Sequence, residues 1–320
     1  MSHQTTSGAA SAIQTSTKKI NENGDYIFNR RFEPLIYLLP FALGLIVFTI
    51  YPIINVVIMS FKNGYRLSGA FNGWGIENYT KVLASSDFKT ALSNTFIFVF
   101  TVVPIGTVLA IIIANLLNQK IRGIAFFQTA YFMPMVTSSI AVGLSWRYMF
   151  NKQFGVINWI LSLFGVNAID WLGASAGKAP FNLPVIIIFG IWNTLPFTII
   201  LLLSGLQNID PMYYTAARVD GAGSMKMFFR ITVPLLSPTI FLTMIINMIS
   251  AFKVYNEVIP FWSGKAGALA GNLYTMVYFI KETFYDKRRL GQAAAASLIL
   301  FLIIFCFTML QRVIRKKFDY

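Results

Sequence analysis

Charged side chains are scarce in this sequence. Of its 320 residues, 12% are Asp, Glu, Lys or Arg, about half the share usual in globular proteins, and 56% are hydrophobic. The mean hydropathy is +0.63. A water-soluble fold of this size needs more polar groups to cover its surface, so the composition excludes an ordinary soluble protein.

Cysteine and histidine are almost absent as well. A single Cys excludes a disulfide framework within the chain and a multi-cysteine metal site. A single His, His3 in a polar tail, excludes a His-based catalytic dyad or zinc site in the core. The 26 basic and 12 acidic residues give a formal net charge of +14. That balance is typical of proteins that meet nucleic acid or anionic lipid, and the hydrophobicity favours lipid.

The sequence has long uncharged runs instead. Six of them contain at least 22 residues, and 22 residues of α-helix span about 33 Å, enough for a hydrocarbon core of roughly 30 Å. Backbone groups in lipid must bond to one another, and the runs do not resemble the short alternating strands of a barrel. The sequence therefore predicts an all-α integral membrane protein with about six transmembrane helices. The predicted spans are residues 34–61, 90–119, 123–146, 179–209, 231–252 and 290–311.

The remaining segments are expected to lie outside the spans. Residues 154–169 and 266–280 are apolar but too short to cross comfortably, which favours interfacial or packed segments. The polar tail 1–33 has few bulky apolar residues, and no cleavable signal peptide is visible. We expect a transmembrane domain over residues 34–315 and a second short tail at 316–320.

Charge alone is weak evidence for the orientation of these spans in the membrane. Six spans put both termini on one side, which then holds 13 basic residues against 11 on the other. The positive-inside rule favours cytoplasmic termini mainly because two basic clusters, Arg30/Arg31 and Arg312–Lys317, lie close to the membrane.

The loop between the fourth and fifth spans, residues 208–238, carries readable turn signals. Asp210 followed by Pro211 is typical of a helix N-cap and first position. Gly221 and Gly223 interrupt that helix. The loop therefore predicts a short helix beginning at Pro211 and ending near these glycines.

A second short helix is expected after the glycines. Ser224 offers an N-cap for residues 225–232, and Pro234 is expected to stop or kink that helix. Ser237 and Pro238 repeat the start signal for the fifth span. Both short helices would lie parallel to the membrane face. On turn chemistry alone, an ordinary interfacial connection is the favoured interpretation.

The same loop resembles a known motif. It is similar to the EAA loop of permeases of bacterial binding-protein-dependent ABC importers. The matching residues are Thr215-Ala216-Ala217, Gly221 after three further residues, Ile231 after nine more, and Val233-Pro234 after one more. The EAA pattern is EAA, three residues, G, nine residues, I, one residue, LP. The DGAG at 220–223 and the terminal Pro238 resemble the carbohydrate-type permeases. Residues 51–61, 77–83, 92–98 and 132–150 resemble the same family, so the likeness covers roughly 34–315.

The resemblance implies a function and a set of partners. It implies the type I ABC importer permease fold in the bacterial cytoplasmic membrane, with this loop and both termini in the cytoplasm. It implies alternating access beside a second permease subunit, two ATPase subunits that bind ATP and Mg, and an external substrate-binding protein. No cofactor, catalytic residue, metal site or nucleic-acid partner is expected in this chain. The residues implied for ATPase coupling are Thr215, Ala216, Ala217, Asp220, Gly221, Ile231 and Pro234.

Two residues depart from the EAA pattern. Val233 replaces Leu and keeps an apolar contact, whereas Thr215 replaces a Glu that helps to seat the loop in the family. Docking through shape, with small residues permitting close approach, stays open, and so does a carboxylate from a neighbouring subunit. The run at 173–179 is a poor imitation of a nucleotide-binding loop, since it has three residues between its glycines and Ala in place of Ser or Thr.

Substrate contacts are expected from polar and aromatic groups at mid-membrane depth, because sugars offer hydroxyls and apolar ring faces. The same Asn, Ser and Thr side chains equally suit hydrogen bonds between helices, worth about 0.6 kcal/mol each. The candidates are Trp192, Asn193, Thr194 and Phe197 of the fourth span, and Asn247, Ser250, Tyr255 and Asn256 of the fifth.

Lys253 and Glu257 are exceptional charges in the fifth span, and their i, i+4 spacing predicts pairing on one helix face. An ion-coupled secondary transporter of a polar solute would use such a pair, and this is the alternative function. The favoured interpretation is a paired group near the external gate or a solvated helix end. A membrane-embedded transferase is disfavoured, because the loops lack clustered acidic or His residues for catalysis.

Overall fold

The computed structural model describes residues 33–119, 123–172, 181–261 and 273–315. Within these ranges the regular structure is helical, and β-structure is limited to an isolated bridge between Lys62 and Trp74. The chain divides into two compact units, Met1–Asn55 and Val56–Tyr320. The predicted tails at 1–33 and 316–320 lie almost wholly outside the described residues, and so does the run at 173–179.

Five helices in the described ranges are long and apolar enough to cross a membrane. They confirm an integral membrane protein, and four of them match predicted spans within a few residues. The fifth, which contains the predicted span 231–252, begins earlier. These helices are α1 (Tyr37–Ser60), α3 (Ser86–Leu117), α7 (Asn182–Gln207), α9 (Ser224–Phe252) and α11 (Leu290–Arg315).

Shorter helices connect them. These are α2 (Glu77–Ala84), α4 (Ile124–Val136), α5 (Ser139–Met149), α6 (Val156–Leu163), α8 (Pro211–Val219) and α10 (Met276–Lys281). Helix α6 has 8 residues, which confirms that the segment around it does not span. The described part of the other short apolar run contains α10, whose Met276 and Phe279 are buried, so this part is packed.

The prediction of a continuous third span at 123–146 is wrong. Helix α4 ends at Val136, and Thr137 and Ser138 adopt extended backbone angles before α5 starts. The Thr137 hydroxyl donates to the carbonyl of Met133 at 3.3 Å. Hydroxyl side chains that bond to nearby backbone favour helix ends over helix interiors, so the absence of charge did not guarantee continuity.

The core shows that α4 and α5 together still make a crossing. One apolar cluster joins the first halves of α3, α7 and α11 to the end of α9, and a second joins the last turns of α3 and α7 to Leu236 of α9. Helices α3, α7 and α11 therefore run in one direction and α9 in the other. Because α3 and α7 run in the same direction, α3 ends at the opposite end of the bundle from the start of α7. The chain between them must therefore cross, and α4 followed by α5 is the helical run available there.

Beyond α9, the segment 273–289 is fixed to α3. Asn94 donates its amide to the carbonyl of Tyr274 at 3.1 Å. Lys287 bridges Asp87 at 3.2 Å and Glu282 at 3.1 Å. Burial and the hydrogen bond to Glu282 raise the pKa of Tyr274. Burial opposes the charge of Lys287, yet its two carboxylate partners raise the pKa of Lys287 overall. In the contacts that hold this end of the bundle together, the phenol of Tyr274 is therefore neutral and the ammonium of Lys287 is charged.

Gly143 permits a close contact at the same end of the bundle. A Cβ placed on Gly143 would lie 2.5 Å from Cγ and 2.8 Å from Cβ of the rigid Pro260 ring. The Arg147 guanidinium also donates to the carbonyl of Pro260 at 3.4 Å. Helix α5 therefore fixes the position of residues 259–261.

We expect Gly143→Ala to destabilise the protein by about 1–3 kcal/mol, because the added methyl overpacks this contact. Gly44→Ala is the matched control, since Gly44 is also helical and a Cβ there has no neighbour within 4 Å. Thermal unfolding of the detergent-purified protein measures both. A Tm for Gly143→Ala equal to that of Gly44→Ala would contradict the contact.

Candidate functional site

The loop between α7 and α9 begins as the turn signals predict. Helix α8 spans Pro211–Val219, and the Asp210 carboxylate accepts the N–H of Met212 at 2.8 Å. A side-chain acceptor at this position satisfies a backbone N–H that has no partner inside the helix. The predicted N-cap and first position of α8 are therefore confirmed.

Gly221 ends α8 in a Schellman turn. Its φ is +74°, in the left-handed region. The N–H of Gly221 donates to the carbonyl of Arg218 at 3.0 Å, and the N–H of Ala222 donates to that of Ala217 at 2.9 Å. Glycine adopts this conformation without a Cβ penalty, so the loop's sharp bend depends on this position.

The second half of the loop differs from the prediction. Gly223, not Ser224, occupies the N-cap position, and the helix that starts there is α9 itself. A π turn at Phe228–Thr232 precedes Pro234, and the N–H of Val233 donates to the carbonyl of Phe228. The wider π turn accommodates the proline without ending the helix. Of the predicted stop or kink at Pro234, the stop does not occur, and the predicted new start at Ser237 is wrong.

The predicted coupling residues lie on an open surface. Thr215 donates its hydroxyl to the carbonyl of Pro211 at 3.2 Å. The Tyr214 hydroxyl lies 3.0 Å from that of the buried Thr232, which joins α8 to α9. Large apolar side chains are exposed nearby, at Met212, Tyr213, Val219, Met225 and Phe229. Thr215, Ala216, Asp220, Gly221 and Pro234 are exposed, and Ala217 and Ile231 are half-buried.

A cavity of about 380 Å³ lies between α3, α7 and the end of α9. Five of the eight predicted substrate residues line this cavity. The Asn193 amide donates to the Glu257 carboxylate at 3.4 Å, and the Asn247 amide donates to the Thr198 hydroxyl at 2.9 Å. Its lining is Phe98, Gly190, Asn193, Thr194, Phe197, Ile246, Asn247, Ser250, Ala251, Val254 and Glu257.

The cavity lies near the middle of the helices. Asn193 is close to the centre of α7, and Phe98 is about 18 Å along α3 from its start. Helix α9 ends at this level, since the ring of its last residue, Phe252, lies 5.7 Å from that of Phe96 of α3. Backbone that leaves the helix at this depth is tolerated where it lines a cavity.

The other three predicted substrate residues do not line the cavity. Trp192 packs its ring against those of Trp146, at 5.5 Å, and Phe189, at 6.1 Å. Tyr255 and Asn256 follow the end of α9 and are not on the helix. The prediction extended the fifth span past Phe252, although the charged Lys253 directly follows that residue.

The predicted ion pair of Lys253 and Glu257 is also wrong. Lys253 is the C-cap of α9, so the i, i+4 geometry of a helix does not exist beyond it. The ion pairs of the described residues include neither side chain, and Lys253 is exposed. The secondary-transporter alternative thereby loses the pair on which it depended.

Sequence reasoning missed the apolar part of the cavity wall and Glu257. Phe98, Gly190 and Val254 have no signal that separates a cavity wall from a core, because the distinction depends on which helices meet. In the part of the chain that the structure describes, no three His, Cys, Asp or Glu side chains are grouped to hold a metal ion.

Comparison with known proteins places the chain in a family. Residues 95–320 match the family model of the "Binding-protein-dependent transport system inner membrane component". The trehalose/maltose transport system permease protein MalF of Thermococcus litoralis is 30% identical over 85% of this chain and 90% of its own length. The arabinooligosaccharides transport system permease protein AraP of Halalkalibacterium halodurans is 31% identical over 93% of this chain and 92% of its own.

A solved structure shares the fold. A chain of the bacterial alginate ABC transporter, in complex with its alginate pentasaccharide-bound periplasmic protein, superposes with a TM-score of 0.79. The sequence identity is 22%, and the match covers 91% of this chain and 96% of that one. The fold is therefore that of an ABC importer permease. Together with the family match, this shows that the chain belongs to the inner-membrane components of binding-protein-dependent transport systems.

Proposed function

We propose that the chain is a permease subunit that imports a carbohydrate by alternating access. The observation that carries this proposal is the cavity at mid-height, where amide, hydroxyl and carboxylate groups stand beside Phe98 and Phe197. Hydrogen-bonding groups beside aromatic rings suit a sugar, which has hydroxyls at its edge and apolar ring faces. The saccharide-transport names of the relatives support the same class of cargo.

The chain works as part of a larger complex in this proposal. A second permease subunit completes the path, and two ATPase subunits bind ATP and Mg on the cytoplasmic side, where both termini and the α8 loop lie. An external substrate-binding protein delivers the cargo. The exposed apolar side chains around α8 support docking of an ATPase there, since a patch of this kind on a loop marks an interaction surface.

Helix α9 links the docking surface to the cavity. It runs without a break from Ser224, beside α8, to Asn247 and Ser250 in the cavity wall, a distance of roughly 35–40 Å. The contact between Tyr214 and Thr232 ties α8 to its first turns. A displacement of the loop by the ATPases is therefore transmitted along one helix to the cavity wall, which provides a physical basis for alternating access.

The bend at Gly221 is expected to be essential for coupling. Gly221→Ala places a Cβ on a left-handed backbone at a cost of about 1–2 kcal/mol, so the correct turn becomes about 5- to 30-fold rarer. Gly223→Ala is the matched control, because Gly223 has φ −69° and no neighbour near a new Cβ. ATPase activity of the reconstituted complex, stimulated by the loaded binding protein, is expected to fall for Gly221→Ala only. Equal activity of the two variants would contradict the role of this turn.

A substitution at Thr215 tests how the loop docks on the ATPase without the usual Glu. We expect ATPase capture by Thr215→Glu to equal capture by the wild type, because the complementary carboxylate is supplied by the second permease. Pull-down of the ATPase by both proteins, with Thr80→Glu as a control for added charge on an exposed threonine elsewhere, measures this. A large gain specific to Thr215→Glu would show a weakened site instead.

The cavity wall tests the carbohydrate assignment directly. Phe197→Ala is expected to reduce ATP-dependent uptake several-fold, since it removes an aromatic face from the cavity. Phe301→Ala is the matched control, because Phe301 is exposed on α11 and outside the cavity. Uptake of labelled oligosaccharide into liposomes containing the complete complex is the measurement. Uptake that continues without ATP and the partner subunits would overturn the proposed function.

A further inference from the structure

We propose that Glu257 makes this cavity select neutral saccharides and exclude anionic ones, such as uronates and sugar phosphates. The inference rests on the proposed function and names its substrate class more narrowly. Glu257 is the ionisable residue among the eleven that line the cavity, and none of them is Lys, Arg or His. An intramembrane carboxylate is costly, so its presence in a translocation path is informative about function.

The carboxylate has no cation to neutralise it within the described residues. The ion pairs found there do not involve Glu257, and Lys253 is exposed and does not line the cavity. Its observed partner is the amide of Asn193, a neutral donor at 3.4 Å. A second negative charge brought beside this carboxylate is repelled, and charges beside a protein wall interact more strongly than the same charges in bulk water.

The C-terminal end of α9 adds to the negative electrostatic potential of the cavity. Helix α9 terminates at Phe252, next to lining residues Ser250, Ala251 and Val254. The C-terminal end of a helix carries about half a negative elementary charge.

The hydrogen bonds of the lining favour hydroxyl groups for a second reason. The Thr194 hydroxyl donates to the carbonyl of Ile191 at 2.9 Å, and the Asn247 amide donates to Thr198. Asn193 donates to Glu257. Much of the donor capacity is thus directed to protein acceptors, while carboxylate oxygens retain lone pairs for further donors. Sugar hydroxyls donate to such a lining, whereas a carboxylate or phosphate oxygen only accepts.

The shared fold leaves this question open. The alginate transporter imports an acidic polysaccharide. The fold therefore does not decide the preference for charge, and within this chain the ionisable residue of the lining is Glu257.

Glu257→Gln tests the inference. Uptake into liposomes containing the complete complex is measured for a neutral oligosaccharide and for the same oligosaccharide with one terminal uronate. The readout is the ratio of uronate to neutral uptake, compared between variants. Because every variant uses the same binding protein, its own preference cancels. We expect Glu257→Gln to raise this ratio at least tenfold.

Two further variants keep the test decisive. Glu77→Gln, which removes an exposed carboxylate paired with Lys81 at 2.6 Å, is the matched control and is expected to leave the ratio unchanged. Ser250→Asp adds a second carboxylate to the cavity and is expected to lower it. An unchanged ratio in a folded Glu257→Gln or Ser250→Asp complex, or equal uptake of both sugars by the wild type, would overturn the selectivity. Uptake of neither sugar by the wild type would overturn the carbohydrate function instead.

Discussion

Backbone N–H and C=O groups that are removed from water must bond to one another, and the rest of this structure depends on that constraint. It explains why the spanning segments are helical and how they tolerate proline. Pro52 and Pro234 each lie two residues after a π turn, at Ile46–Ile50 and Phe228–Thr232. In both places the residue before the proline bonds five residues back, so the helix continues although a hydrogen-bond donor is missing.

Continuity at Pro234 has a functional consequence. If α9 had stopped there, as helix-breaking rules suggest, the α8 loop and the cavity wall would belong to separate elements joined by a flexible turn. The π turn instead gives one helix from Ser224 to Phe252. One helix therefore connects the exposed surface around α8 with the polar groups at Asn247 and Ser250.

The features that the sequence predicts well are local or follow from charge. Asp210 caps its own helix, and Gly221 takes a left-handed turn, because the groups involved lie within a few residues of each other. The span ends follow from the cost of charge in lipid. The end of α9 at Phe252 follows in this way from Lys253, whereas the break at Thr137–Ser138 does not, since no charge marks it. The partnership of Asn193 and Glu257 joins residues far apart in sequence, so it requires the packing of α7 against the end of α9.

The end of α9 at mid-height and the polar lining of the cavity occur at the same place in the bundle. The last carbonyls of a helix lack partners within the helix, and here the N–H groups of Lys253 and Val254 bond to the carbonyls of Ser250 and Ala251 at 3.0 and 3.2 Å. The side chains gathered there, Asn193, Asn247 and Ser250, give the cavity beside this helix end a polar wall. Interhelical bonding and a place in the cavity wall are therefore not competing roles for Asn247. Its bond to Thr198 holds α9 against α7, and the same contact fixes this part of the wall.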